Sequence, residues 1–313
     1  MNDSRFRPAF YPVRVILDTD MATDCDDAGA MAVLHALSAK GEAEILAIVT
    51  NNKGDASIGA VAALNAFYGK NDIPLGAYQE DIVGIESSLF VQELAADTAT
   101  YGHAVTTRAQ VPTAVEVYRQ TLANSPDGSV VIISIGHLNN LSDLLHSGPD
   151  RHSLLAGPEL VKQKVARMVV MGGEYPSGKE HNFAARESAT YAAHVIEEWP
   201  TPMIFTGFTL GERINTGPGL ATLGDSNPVR RAYAGHPSNP LKSGRASWDQ
   251  TAVVAAVRGP EVFWNLSAPG RNHVQADGSN HWHDDPNGTQ VYLIERDDPG
   301  KVAQEIEGLM MGL

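Results

Sequence analysis

The chain has 313 residues, with 23 basic and 37 acidic side chains, a formal net charge of −14, and a hydrophobic share of 43 %. That share supports a sizeable core, while the negative field opposes docking of nucleic-acid polymers and favours a small neutral or sugar-like ligand. No apolar run approaches the roughly 18 residues of a membrane helix, and the opening MNDSRFRPAF lacks a secretory apolar stretch, so the expectation is a cytoplasmic protein with no membrane partner. The single cysteine, Cys25, excludes an internal disulfide and any multi-cysteine metal site.

In chain order, VRVILD at 13–18 predicts a first strand, 27–39 a helix, 44–50 a strand and 57–68 a helix. Then come a helix at 113–124, strands at 129–135 and 165–171, a helix at 187–198, a strand at 202–206 and a helix at 249–257. Such alternation implies an α/β fold with a mainly parallel sheet, and strand runs that are apolar almost throughout imply helices on both faces. Residues 272–296, with Gly278 and Asn287-Gly288, predict a hairpin or edge meander. No linker, like-charge block or repeat marks a boundary, so residues 1–313 are expected to form one domain. In this architecture ligands collect beyond the carboxyl ends of the strands.

Just after the first predicted strand, VRVILDTDMATDCDDAGA places Asp18, Asp20, Asp24, Asp26 and Asp27 within ten residues. Crowded carboxylates repel and raise one another's pKa unless protons or a cation relieve them, and a hard divalent ion is suited to oxygen ligands. Cys25 sits among these charges, which disfavour a thiolate, so it reads as a packing residue.

An apolar strand, an Asp-x-Asp pair, a double Asp and a small-residue helix resemble the amino-terminal signature of the inosine/uridine-preferring nucleoside hydrolases. Five residues separate Asp20 from Asp26, where that family usually has three, so Asp24 is an additional acid on the substrate side. Four later segments resemble the family in the expected order: LAIVTNNKGD (46–55), VVIISIGHLNNL (130–141), MGGEYPSGKEHNF (171–183) and SWDQTAV (247–253). The resemblance implies a Rossmann-like single domain and hydrolysis of the N-glycosidic bond of ribonucleosides. By the same resemblance, Asp20, Asp27, Asp249 and the backbone carbonyl of Ile135 bind Ca²⁺, and Asp20 is the general base. Asp26, Glu180 and Asn182, in the stretch that includes His181, hold ribose hydroxyls, with Asn51, Asn52 or Asp55 near the sugar. Trp248 stands where the pyrimidine-tolerant branch has a histidine, as in the purine-specific branch. An indole there assists departure of a purine by stacking, with Tyr101 as the second aromatic and His103 as an alternative acid. Family members are commonly homo-oligomers.

Other readings compete. The inserted acid and missing histidine suit a Ca²⁺-binding relative that holds or acts on a different ribosyl or carbohydrate ligand. ILDTD also resembles the start of a haloacid dehalogenase-type phosphatase, with Asp18 as nucleophile and Asp20 as acid, but Ala22 stands where that family needs a hydroxyl or small β-branched residue. HWHDD, 281–285, superficially suits a transition metal, yet its Gly, Pro and Asn neighbours predict a surface hairpin.

Overall fold

A computed structural model describes residues 4–6, 11–85, 87–185 and 187–313. The apolar runs become β1 (Val13–Thr19), β2 (Ala43–Thr50), β3 (Leu75–Ala77), β4 (Val130–Ser134), β5 (Val165–Met171), β6 (Ser177–Lys179) and β7 (Met203–Thr206). Later come β8 (Asn215–Thr216), β9 (Arg245–Ala246), β10 (Trp264–Leu266), β11 (Gly270–Val274), β12 (Ser279–Asp284) and β13 (Gln290–Glu295). Eleven strands make one sheet in the order β3-β2-β1-β4-β5-β7-β13-β11-β12-β6, with β10 on β13; β8 and β9 form a separate ribbon. From β3 to β13 neighbouring strands run parallel, as the alternating pattern predicts. β11, β12 and β6 then continue the sheet antiparallel.

β1 shows why its sequence lies at the centre. Val13, Val15 and Leu17 join one apolar layer and Ile16 the other, so the two-residue period of a strand serves two cores. Buried residues of the helices Asp26–Ala39, Ser57–Phe67, Trp248–Arg258 and Pro299–Met310 cover the first face. Those of Ala114–Ala123, Asn139–His146 and Ser188–Glu198 cover the second. The result is a mixed α/β single domain. Among the described residues no helix is long and apolar enough to cross a membrane.

Residues 270–284 form the hairpin β11–β12, with Gly278 at φ +81° in its turn. β13 departs from the edge-meander expectation: it pairs in parallel with β7 inside the sheet, because its own apolar run is buried there.

Two topological features place the site. The chain leaves β1 outward to β2 and β3, then returns on the other side to β4, which opens a crevice between the carboxyl ends of β1 and β4. In addition, Gly29 lets two helices approach closely: a Cβ there would lie 2.3 Å from Gln250 Nε2, so the amino ends of Asp26–Ala39 and Trp248–Arg258 converge.

Leu17, wholly buried in mid-β1, holds this frame in register. Leu17→Ala is expected to remove about 2–5 kcal/mol of stability, read as a lowered denaturation midpoint with unchanged slope.

Candidate active site

At the carboxyl ends of β1, β4 and β5 lies a cavity of about 310 Å³. Its lining includes Asp20, Asp24, Asp26, Asp27, Ile135, Glu180, Asn182, Trp248 and Asp249, so most of the residues singled out in the sequence meet there. Carboxylate oxygens of Asp26, Asp27 and Asp249 all lie within 4.8 Å of one another, and the three residues are buried. Burial pushes each carboxyl well above the usual range, and the neighbouring carboxylates add to it. The Thr19 hydroxyl donates to Asp27, and the charge of Arg245 offsets part of the shift at Asp26. A desolvated group of hard oxygen donors fits a hard divalent cation.

This grouping differs in one respect from the resemblance-based set. Asp26, expected on the sugar, belongs to the tight triplet. Asp20 falls instead into a second group, with its carboxylate and nitrogens of His137 and His181 within 4.8 Å of one another. Burial raises the Asp20 carboxyl to about 6, against the opposing charge of His181.

Asp20 rests on a polar support. Asp18, wholly buried one alternation earlier, accepts hydrogen bonds from Tyr118 Oη at 2.8 Å, Asn51 Nδ2 at 2.8 Å and Asn140 Nδ2 at 3.1 Å. Burial nevertheless raises it to about 7. Enclosed in this way, Asp18 cannot serve as the nucleophile that the phosphatase reading needs. Asn51, assigned to the sugar from the sequence, is not in the cavity lining. Its Oδ1 accepts the His137 backbone N–H at 3.2 Å, which ties the β4 turn to Asp18. Asn52 braces its own loop through Gly54 and Ser57, and Asp55 is exposed. His137 is a residue the sequence reading passed over. Ser188 Oγ holds its Nδ1 at 2.9 Å and its Nε2 stands 3.7 Å from Asp20 Oδ2.

Glu180 accepts the Asn182 and Gly173 backbone N–H groups at 2.7 and 2.9 Å, while burial raises it to about 7. Asn182 Nδ2 donates to the Met171 carbonyl at 3.1 Å. Both side chains are thereby fixed on the cavity wall.

The aromatic side departs from expectation. Trp248, at the start of its helix, stacks on Phe208 with centroids 5.3 Å apart and donates its indole N–H to the Phe208 carbonyl at 2.9 Å. Phe208 lines the cavity and was not legible, since it follows β7 where polar residues were sought. Tyr101 lies outside the lining: its hydroxyl donates to the Ser226 carbonyl at 3.1 Å and accepts from Arg231, which is anchored by Asp97. His103, read as an alternative acid, is also outside the lining, buried with Nε2 3.0 Å from the Ala95 carbonyl. Asp24 is paired with Arg245: burial raises that carboxyl, but the hydrogen bonds and charge of Arg245, with the Cys25 amide and His236, together hold it below its ordinary range. Cys25 is buried, and burial together with Asp26 and Asp24 pushes its thiol upward, as expected of a packing residue. Around His281 and His283, the described residues form no metal-ligating group of three.

A family model for the inosine-uridine preferring nucleoside hydrolases matches residues 15–297. The chain belongs to this family. It is a ribonucleoside N-glycosyl hydrolase by membership, and solved nucleoside hydrolases share its fold. A plant nucleoside hydrolase, the PpNRh1 enzyme, is 19 % identical with a TM-score of 0.70, covering 96 % of this chain and 99 % of that one. A purine-preferring ribonucleoside hydrolase from Gardnerella vaginalis is 15 % identical, with a TM-score of 0.68 and coverage of 96 % and 98 %. The type III effector protein XopQ, solved in complex with adenosine diphosphate ribose, is 18 % identical, with a TM-score of 0.65 and coverage of 97 % and 95 %. No curated protein sequence matches the chain.

Two tests follow from this hydrolase site. Raised carboxyl pKa values mean that the folded chain keeps protons which the unfolded chain releases above about pH 4, so stability must fall as pH rises through the raised values. In chelator, the melting temperature is expected to be lower at pH 8 than at pH 5.5, and a divalent cation should raise it more at pH 8. Thermal scans of the parent and of Asp27→Asn check this, the variant showing the shallower pH slope. The second test concerns Gly136, where a Cβ would stand 2.7 Å from Asp20 Cβ and 2.8 Å from Asn51 Oδ1. Gly136→Ala is expected to cost about 1–3 kcal/mol and to weaken divalent-cation affinity, measured by chemical denaturation and calorimetric titration.

Proposed function

We propose that this chain hydrolyses purine ribonucleosides in preference to pyrimidine ones, giving free base and ribose, with Ca²⁺ bound by Asp27, Asp249, Asp20 and the Ile135 carbonyl, and Asp26 beside them. The observation that carries the reading is convergence: acids from residues 26–27 and from residue 249 share one buried corner of a cavity that also holds an aromatic pair. The ion supplies Lewis-acid acidification of a water and anchorage for sugar hydroxyls. The family's fold and cytoplasmic habit make the cell interior the proposed location, and a homo-oligomer the proposed state.

The chain's own groups account for the remaining chemistry. Water oxygen bonds to C1′ as the C1′–N bond breaks, the bonding pair leaves with the base, which takes up a proton from solvent, and the proton released by the attacking water passes to the Asp20 carboxylate. Asp20 lines the cavity just past the end of β1, where its carboxylate can take that proton. Glu180 and Asn182 grip ribose hydroxyls alongside the backbone bonds that already fix them, and a substrate lacking a hydroxyl forfeits those added bonds. The indole N–H of Trp248 is already donated to Phe208, so the aromatic pair assists the leaving base by contact rather than by proton transfer. The structural likeness to XopQ supports a second reading, in which the same pocket holds a larger ribosyl compound.

Ribose release from inosine, guanosine, adenosine and uridine, with and without chelator, is the direct test. Turnover that is purine-biased and lost in chelator supports the proposal; no turnover on any nucleoside overturns it. Asp20→Asn is expected to reduce kcat by on the order of 10²–10⁴ while the fold survives. Trp248→Ala should weaken purine nucleosides by about 1–3 kcal/mol in kcat/KM and uridine much less. Equal losses on both classes would assign the indole to packing.

A further inference from the structure

Asp24 lies in the stretch between Asp20 and Asp26 that is longer than the family pattern, and nothing in the hydrolytic chemistry above uses it. Its carboxylate binds Arg245 across 221 positions of sequence: Oδ1 accepts from Nε at 3.0 Å, and Oδ2 accepts from Nη2. The Cys25 backbone N–H donates to Oδ1 at 2.8 Å, and His236 Nε2 stands 3.7 Å from the same oxygen. The carboxylate is therefore itself held on several sides. It fixes a guanidinium whose carbon lies 4.9 Å from the Trp248 ring centre, in the lining of the cavity. Two of the three guanidinium nitrogens are committed to Asp24. Among the described residues Nη1 makes no hydrogen bond, and the side chain is 28 % exposed.

We propose that Arg245, anchored by Asp24, is a specificity-determining residue that reads the leaving base and selects 6-oxopurines over 6-aminopurines. This rests on the reading of the cavity as a nucleoside site with the base on the Phe208–Trp248 side. A guanidinium donates hydrogen bonds and accepts none. Hypoxanthine and guanine present two adjoining acceptors, O6 and N7, and arginine pairs well with that edge, whereas adenine sets an amino donor beside N7. One class of base meets an attractive edge, the other a donor–donor conflict. Pyrimidines lack the imidazole ring that carries N7. Asp24 acts as a positioning residue, since bidentate pairing fixes the guanidinium plane and leaves the Nη1 hydrogens and the second Nη2 hydrogen, side by side, to turn toward ligand.

The test uses hypoxanthine and adenine as free bases, titrated against the whole protein by calorimetry, so that it does not depend on turnover. The parent is expected to bind hypoxanthine about 10- to 100-fold more tightly than adenine, the range for a charged hydrogen bond gained against one refused. Arg245→Ala should bring the ratio close to one, by losing hypoxanthine affinity while adenine changes little. Asp24→Asn should narrow it less, and Arg245→Lys, a milder change should the alanine variant fail to fold, should also narrow it. The ratio of kcat/KM for inosine over adenosine should follow the same order. An unchanged ratio in Arg245→Ala, an equal loss for both bases, or a parent that binds neither overturns the proposal. Selection that is present, and lost with Arg245, in a protein that hydrolyses neither nucleoside would uphold the recognition and sink the hydrolase reading.

Discussion

The arrangement depends on a cost: three carboxylates, Asp26, Asp27 and Asp249, buried within reach of one another. Favourable local effects exist but are too small to offset it. Asp26 and Asp27 open one helix and Asp249 another, so both amino ends point their dipoles at the cluster. That is worth about 0.3–1 kcal/mol for each exposed charge and up to about 2 when partly buried, whereas desolvating an ion costs several kcal/mol. The protein therefore holds the cluster together only with protons or with a cation. Protons can serve at low pH, and a cation would have to at neutral pH, which would link stability and ligand binding through one set of groups.

The scaffold beneath the cluster is what makes that cost tolerable. β1 supplies Asp18 from one pleat and delivers Asp20 just past its end, so a single strand provides both the support and the carboxylate proposed as the base. Tyr118, Asn51 and Asn140 reach Asp18 from separate elements, and Asn51 also holds the His137 amide. Shifting any one of these would leave a buried polar group without its partner, costing about 1–3 kcal/mol. The network converts the topological switch between β1 and β4 from a gap into a rigid floor. Gly136 marks how tightly it closes, since even a methyl group would overlap Asp20 there.

Much of this was legible in the chain because it is local. Strand runs such as 165–171 match β5 residue for residue, and the acid run after β1 announces an unusual charge density. What was not legible depends on closure over long distances. Asn51 lies next to the site in sequence, yet its amide is drawn under the floor by Asp18 and His137 rather than toward ligand. Tyr101 was placed by resemblance to the second aromatic of the purine-specific branch, but Arg231 and the Ser226 carbonyl, more than a hundred positions away, hold its hydroxyl outside the lining. Phe208 carries no polar signal at all, and only its packing on Trp248 reveals it.

The pair formed by Asp24 and Arg245 shows how an extra acid can be accommodated beside so many others. A fourth carboxylate at the mouth of the site would deepen the repulsion felt by Asp26, Asp27 and Asp249, each of which is raised by it. Pairing with Arg245 offsets part of that field at Asp26. Without Arg245, Asp24 would compete for the cation and loosen the cluster. On the proposed reading, the bidentate contact would keep two positive charges apart: a cation at the sugar, inside, and the guanidinium beside Trp248, at the base. Separation of those charges along the cavity would orient a neutral nucleoside, sugar toward the acids and base toward the guanidinium, in a chain whose overall field is negative.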